Sequence, residues 1–109
     1  MKLLTLMEEI ILISIWRLKD NAYGITIRKE VGKATGKEWA LGAIYPFLSR
    51  LNKGGYVMTV TSQATQERGG RHKILYRLTD TGRDALAEVR RVHERTWDGI
   101  AAWAFKKAE

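Results

Sequence analysis

Gly42-Ala43-Ile44-Tyr45-Pro46-Phe47-Leu48-Ser49-Arg50-Leu51-Asn52-Lys53-Gly54-Gly55 is the stretch on which the fold turns. Ile44, Phe47, Leu48 and Leu51 fall at the i, i+3, i+4, i+7 spacing of one buried helix face, which leaves Ala43, Tyr45, Ser49, Arg50 and Lys53 outside. The Gly54-Gly55 pair tolerates positive φ, so it stops the helix and turns the chain. Tyr56-Val57-Met58-Thr59-Val60-Thr61 then reads as a β-rich, partly alternating strand, and Lys73-Ile74-Leu75-Tyr76-Arg77-Leu78 as its return. The polar loop between them, Gln63 to His72, carries Arg68-Gly69-Gly70-Arg71 near its end. Such a loop buries nothing, so its basic tip projects into solvent or onto a partner.

Helix, turn, basic hairpin and a new helix start, in that order, are what a winged helix-turn-helix requires. Upstream, a first helix is expected from about Leu6 to Lys19, with Thr5 and Glu8 spaced as a capping box. Ile10, Ile11, Ser14 and Leu18 mark one side of it, while Ile13, Ile15 and Trp16 add apolar surface elsewhere, more than one core contact requires. A second helix is expected from Tyr23 to about Thr35, with Ile25, Ile27 and Val31 inward, Arg28, Lys29 and Lys33 outward, and Gly36 ending it. Trp39 to Leu41 reads as a short link able to form a third, minor strand.

Downstream, Thr79 is an N-cap followed by a first turn carrying Asp80 and Asp84, which suits the helix dipole. The helix it opens is expected to run to near Phe105. Leu86, Val89, Val92, Trp97, Ile100, Trp103 and Phe105 give it more apolar surface than a 109-residue monomer covers easily. Dimerisation through both helices accounts for this excess and for that of the first helix, with Ile11, Ile15, Trp16, Val89, Val92, Trp97, Ile100 and Trp103 expected at the subunit contact. The expected architecture is mainly α with a small β-hairpin wing. Residues 1–79 form the winged helix-turn-helix, and residues 80–109 form a long C-terminal dimerisation helix that makes one unit with the first helix.

The chain carries 19 Lys and Arg against 12 Asp and Glu, a net +7. Residues 28–77 hold ten of the basic residues (Arg28, Lys29, Lys33, Lys37, Arg50, Lys53, Arg68, Arg71, Lys73, Arg77) and three of the acidic ones, so the flanks cancel. The whole excess thus lies on the segment suspected of meeting a polyanion, the electrostatic footprint of a nucleic-acid binder. A basic face kept for solubility is the plainer alternative.

At 109 residues and 45% hydrophobic content, one ordered domain is expected. Without cysteine there is no disulfide framework and no thiolate nucleophile or metal site, which fits a reducing cytoplasm. The apolar run from Leu3 to Trp16 is interrupted by Glu8 and Glu9 and is too short to span a bilayer, so no membrane partner is expected. His72 and His93 lie on different elements with no carboxylate or thiol at ligand spacing, so neither metal, cofactor nor catalysis is indicated.

The chain resembles the PadR family of transcriptional regulators, in its short form. The matching residues are Glu9-Ile10-Ile11-Leu12 with Trp16-Arg17-Leu18; Ala22-Tyr23-Gly24-Ile25; Gly42-Ala43-Ile44-Tyr45-Pro46 with Leu48 and Arg50-Leu51; and Gly69-Gly70-Arg71, Tyr76-Arg77-Leu78-Thr79 and Gly82. That resemblance implies a dimeric winged-helix repressor that binds an inverted-repeat operator and responds to a small aromatic or drug-like effector. The C-terminal helix of one subunit would meet the partner's N-terminal helix. Two positions depart from the family pattern. Ala40 stands where Ser or Thr is usual, removing a side-chain cap worth roughly 1 kcal/mol. Pro46 presses on the carbonyl of Gly42, so an irregular first turn is expected.

On this reading the Gly42 helix enters the major groove, N-terminal half nearest the bases. Gly42 and Ala43 permit close approach, and Tyr45 packs on a thymine methyl or donates to phosphate. The alternative for Tyr45 is a rim residue of the core. Ser49, Arg50 and Lys53 contact backbone or base edges. Arg68 and Arg71 lie on the wing with Lys73 behind them, over the minor groove or its phosphates. Tyr23 and Arg28 add phosphate contacts. Tyr76, beside Leu75 and Leu78, reads as core. Trp97 and Trp103 read as dimer core, or as a pair of indoles holding a flat aromatic effector. The alternatives to a repressor are a winged-helix module that docks on a protein through its hairpin, and a small-molecule sensor with weak DNA binding.

Overall fold

The computed structural model describes residues 2–62, 72–101 and 104. Helix α1 (Leu6–Leu18) opens on the capping box that its sequence contains: the Glu8 N–H donates to Thr5 Oγ1 at 3.2 Å and the Thr5 N–H to Glu8 Oε1 at 2.8 Å. Ile11, Leu12 and Ile15 are buried, and so is Ser14, whose hydroxyl donates to the Ile10 carbonyl at 2.8 Å. A single 3₁₀ turn over Lys19–Asn21 leads to α2 (Gly24–Thr35). There the Thr26 hydroxyl accepts from the Tyr23 N–H at 3.0 Å and donates to the Asn21 carbonyl at 2.6 Å. Ile27 and Val31 are fully buried, but Ile25 is exposed. Two residues on a helix lie about 200° apart, so a face built on Ile27 sends Ile25 outward.

Helix α3 (Leu41–Lys53) buries Ile44, Leu48 and Leu51 completely, with Phe47 at the margin of the core. It starts at Ala40 with no side-chain cap and a tight Ala43 N–H to Ala40 carbonyl bond of 3.0 Å, and it continues through Pro46 without a break. Its end is a Schellman motif. The Tyr56 N–H donates to the Leu51 carbonyl (3.0 Å) and the Gly55 N–H to the Asn52 carbonyl (3.1 Å), with Gly55 at φ 80°. The chain thereby reverses into β1 (Val57–Thr61), which pairs antiparallel with β2 (Ile74–Leu78) from Val57↔Leu78 to Thr61↔Ile74.

Among the described residues the sheet has two strands, and Trp39 to Leu41 does not join it. The Trp39 indole N–H donates instead to Thr35 Oγ1 at 2.8 Å, holding the α2–α3 turn, while Leu41 already belongs to α3. The outer edge of β2 is met by the α1–α2 connection, where the Tyr76 N–H donates to the Ala22 carbonyl at 2.8 Å.

Helix α4 (Asp80–Trp97) is capped by Thr79, whose Oγ1 accepts from the Gly82 N–H at 3.0 Å and donates to the Gly55 carbonyl at 2.5 Å. Ala85 and Val89 complete the core made by α1, α2, α3 and β1. The helix stops at Trp97, short of the Phe105 end expected from its apolar residues. Asp98 leaves helical backbone and Gly99 takes a φ of 76°, which glycine adopts at little cost.

Candidate nucleic-acid interface

With Ile44, Leu48 and Leu51 turned inward, helical geometry places Gly42, Ala43, Tyr45, Ser49, Arg50 and Lys53 on the outer face of α3, and all six are exposed. The Arg50 guanidinium lies 4.7 Å from the centroid of the Phe47 ring, which orients it without neutralising it. At the start of α2, the Lys73 ammonium sits 4.4 Å above the half-buried Tyr23 ring, so the base of the wing and the α2 N-terminus meet. Tyr45 reaches across from α3 to the same place, its phenol against the Cα of Gly24. Tyr76 lies behind it. Burial, and then the neighbouring Tyr45, hold the Tyr76 phenol above its usual pKa, so it is neutral at any physiological pH. Tyr23, Tyr45 and Lys73 are thus brought together from three elements, and Tyr76 takes the inner position expected of it. Tyr45 is both a rim residue, leaning on Gly24, and 46% exposed.

Arg28 is half-buried and lines a cleft of about 570 Å³ with Lys29, Lys33, Lys37, Trp39 and one acid, Glu38, along α2 and the turn into α3. Lys29 and Lys37 extend the basic surface beyond the positions singled out from the sequence. Arg68 and Arg71 lie outside the described residues.

Ion pairs are densest on α4. On α4, Arg83 pairs with Asp80, Arg90 with Glu94, and Arg91 and Arg95 with Glu88. The Arg91 guanidinium, 2.6 Å from Glu88 Oε2, holds that carboxyl below its ordinary pKa, by hydrogen bond first and charge second. Lys33 pairs with Glu30 and Arg77 with Asp20. Among the described residues, Arg17 and Lys19 at the end of α1 make no ion pair, and on this surface neither do Arg28, Lys29, Lys37, Arg50, Lys53 and Lys73. Their charge is uncompensated within the chain and available to phosphate.

Of the residues assigned to a dimer contact, Ile11, Ile15 and Val89 are 0%, 2% and 5% exposed, so the chain's own core consumes them. Val92 is half-buried, whereas Trp16, Trp97 and Ile100 are exposed; Trp103 lies outside the described residues. The apolar surface left on α1 is Leu6, Ile13 and Trp16. Their spacings of seven and three residues place them on one helix side, a signal the sequence contained. Across the α1–α4 contact, His93 Nε2 lies 3.0 Å from Glu9 Oε1. No group of three or more side chains among the described residues is arranged to hold a metal, and no described helix is long and apolar enough to cross a membrane.

Residues 12–88 match the transcriptional regulator PadR-like family. The chain belongs to that family. Solved structures agree in fold. A PadR-like transcriptional regulator from Bacillus cereus strain ATCC 14579 superposes with a TM-score of 0.72 at 21% identity, over 93% of each chain. RosR from H. salinarum gives 0.68 at 26% identity, over 90% of this chain and 81% of that one. A PadR family transcription regulator from Clostridium difficile R20291 gives 0.62 at 26%, over 85% and 92%. No curated protein matches significantly by sequence. As a PadR-like protein the chain is a DNA-binding transcriptional regulator, its hairpin is the wing, and its family is one of regulators, not enzymes.

Proposed function

We propose that this PadR-like protein is a homodimeric repressor that reads an inverted-repeat operator, with α3 of each subunit in major grooves about one helical turn or more apart. The observation that carries the reading is the set of cations without an ion pair around the exposed face of α3, at the α2 cleft and at the base of the wing, while the arginines of α4 are paired with acids of their own helix. In this reading Tyr45, Ser49, Arg50 and Lys53 face the duplex, Gly42 and Ala43 permit close approach, and Tyr23, Arg28 and Lys73 hold flanking phosphates. Arg68 and Arg71 carry the contact along the wing. The exposed Leu6, Ile13 and Trp16 of α1, with Val92, Trp97 and Ile100, form the subunit contact. Trp97 and Trp103 are the seat for a flat aromatic effector, whose binding releases the DNA.

The test is a salt series on a duplex from the promoter of the protein's own gene against random duplex, with sedimentation to read oligomeric state. The promoter duplex is expected to bind more tightly. Lys73→Ala is expected to lower the slope of log affinity against log salt by about 0.9, one phosphate contact, with the dimer intact. Equal affinity for both duplexes would favour docking on a protein through the hairpin. An unchanged slope would remove Lys73 from the interface. Quenching of tryptophan fluorescence by planar aromatics, with loss of DNA, tests the effector.

A further inference from the structure

Gly24 is the first helical residue of α2, and nothing in its backbone demands glycine. Among the described residues the positive-φ positions are Lys19, Gly36, Gly55 and Gly99, so Gly24 has a conformation open to alanine. Alanine there would restrict the unfolded chain and stabilise the fold. The chain forgoes that gain at a buried position. The reason lies across the interface. A Cβ on Gly24 would collide with the Tyr45 hydroxyl and stand 2.9 Å from Cζ and 3.1 Å from Cε1 of the same ring. All three atoms belong to the outer end of one phenol, which rests on the bare Cα of Gly24.

Tyr45 is half in solvent, so without a seat its ring would sample several rotamers. The bare Gly24 below it restricts that sampling before any ligand arrives. We infer that Gly24 is a positioning residue for DNA recognition: its missing side chain is the seat that presents the Tyr45 phenol to the duplex in one orientation. The inference rests on the reading that Tyr45 faces DNA. Seating also ties α2 to α3, so the helix that crosses the backbone and the helix in the groove keep one relative orientation.

Pre-ordering one side chain is worth about two- to tenfold in affinity. The experiment is a four-protein cycle: wild type, Gly24→Ala, Tyr45→Ala and the double variant. Each is titrated with the own-promoter duplex by fluorescence anisotropy and unfolded thermally at one protein concentration. Gly24→Ala is expected to weaken binding about two- to tenfold in the presence of Tyr45. It should change binding less than twofold in the Tyr45→Ala background, where it should raise Tm by a few degrees because the obstacle is gone. A role confined to folding would not produce this dependence on Tyr45. Equal weakening in both backgrounds, or wild-type binding by Gly24→Ala, overturns the inference. If Tyr45→Ala itself binds like wild type, the assignment of Tyr45 to DNA falls. The seat is then judged by Tm, and it fails if Gly24→Ala shifts Tm equally with and without Tyr45.

Discussion

Replacing Gly82 with alanine should detach α4 from the wing. Gly82 is buried in the first turn of α4, and a Cβ there would collide with the Tyr56 carbonyl oxygen while standing 3.1 Å from its carbon and 3.5 Å from Leu78 Cδ2. Unlike a phenol, the Tyr56 carbonyl cannot swing aside. It accepts the Thr79 N–H at 3.1 Å, and the next residue, Val57, is a core residue of β1. Relief therefore requires α4 to move off β1. Overpacking of this kind costs about 1–3 kcal/mol, and stretching the Thr79–Tyr56 bond adds about 1 kcal/mol. The better helix propensity of alanine returns at most about 1 kcal/mol. The net expectation is a loss of about 2 kcal/mol, or roughly 8–16 °C in Tm.

The assay is urea unfolding followed by helical circular dichroism at one protein concentration, so that any subunit contact contributes equally. Gly42→Ala is the control. Gly42 also has a conformation open to alanine, a Cβ there meets nothing within 4 Å, and the substitution should stabilise by about 0.5–1 kcal/mol. The two glycines should thus respond with opposite signs. A Gly82→Ala protein at least as stable as wild type would refute the close approach of α4 to the Tyr56 carbonyl, and with it the argument that glycine is needed there.

Ala40→Ser supplies the missing cap of α3 and should raise stability by about 1 kcal/mol, read as a higher urea midpoint, because the Ala40 backbone is already extended as an N-cap requires. Glu88 is held below its ordinary pKa by Arg91, so this pair contributes stability above the unfolded carboxylate value and loses it as pH falls through the lower folded value. Arg91→Ala should raise the Glu88 pKa in an NMR titration, and its stability deficit should shrink on acidification; a deficit that grew instead would show the sign to be wrong.

Where a signal was local, it was legible in the chain. The 44, 47, 48, 51 spacing, the Thr5/Glu8 box, the Gly54-Gly55 stop and the Thr79 cap each depend on residues within one or two turns, and each lies where the spacing predicts. What failed depended on neighbours distant in sequence. Trp39 to Leu41 looked able to form a strand, but the Ala22 carbonyl holds the free edge of β2 and Thr35 holds Trp39. Ile25 looked inward until Ile27 and Val31 showed which side of α2 meets the core. Periodicity alone allows Ile11 and Ile15 to face a partner, whereas the chain buries them itself and leaves Leu6, Ile13 and Trp16 outside.

The interface divides in the same way. The charge excess of residues 28–77 is a property of the sequence, because composition and order suffice to locate it. That Arg28, Lys29, Lys37, Arg50, Lys53 and Lys73 make no ion pair among the described residues, while α4 pairs its own arginines, depends on which acids come within reach after folding. The order of helices, glycine stop and paired strands is set by periodicity and turn chemistry, both short-range. The seat of Tyr45 on Gly24 joins residues 21 positions apart, and the approach of Gly82 to Tyr56 joins residues 26 apart. Contacts of that range leave no periodic trace, and only close packing in three dimensions decides where a side chain must be absent.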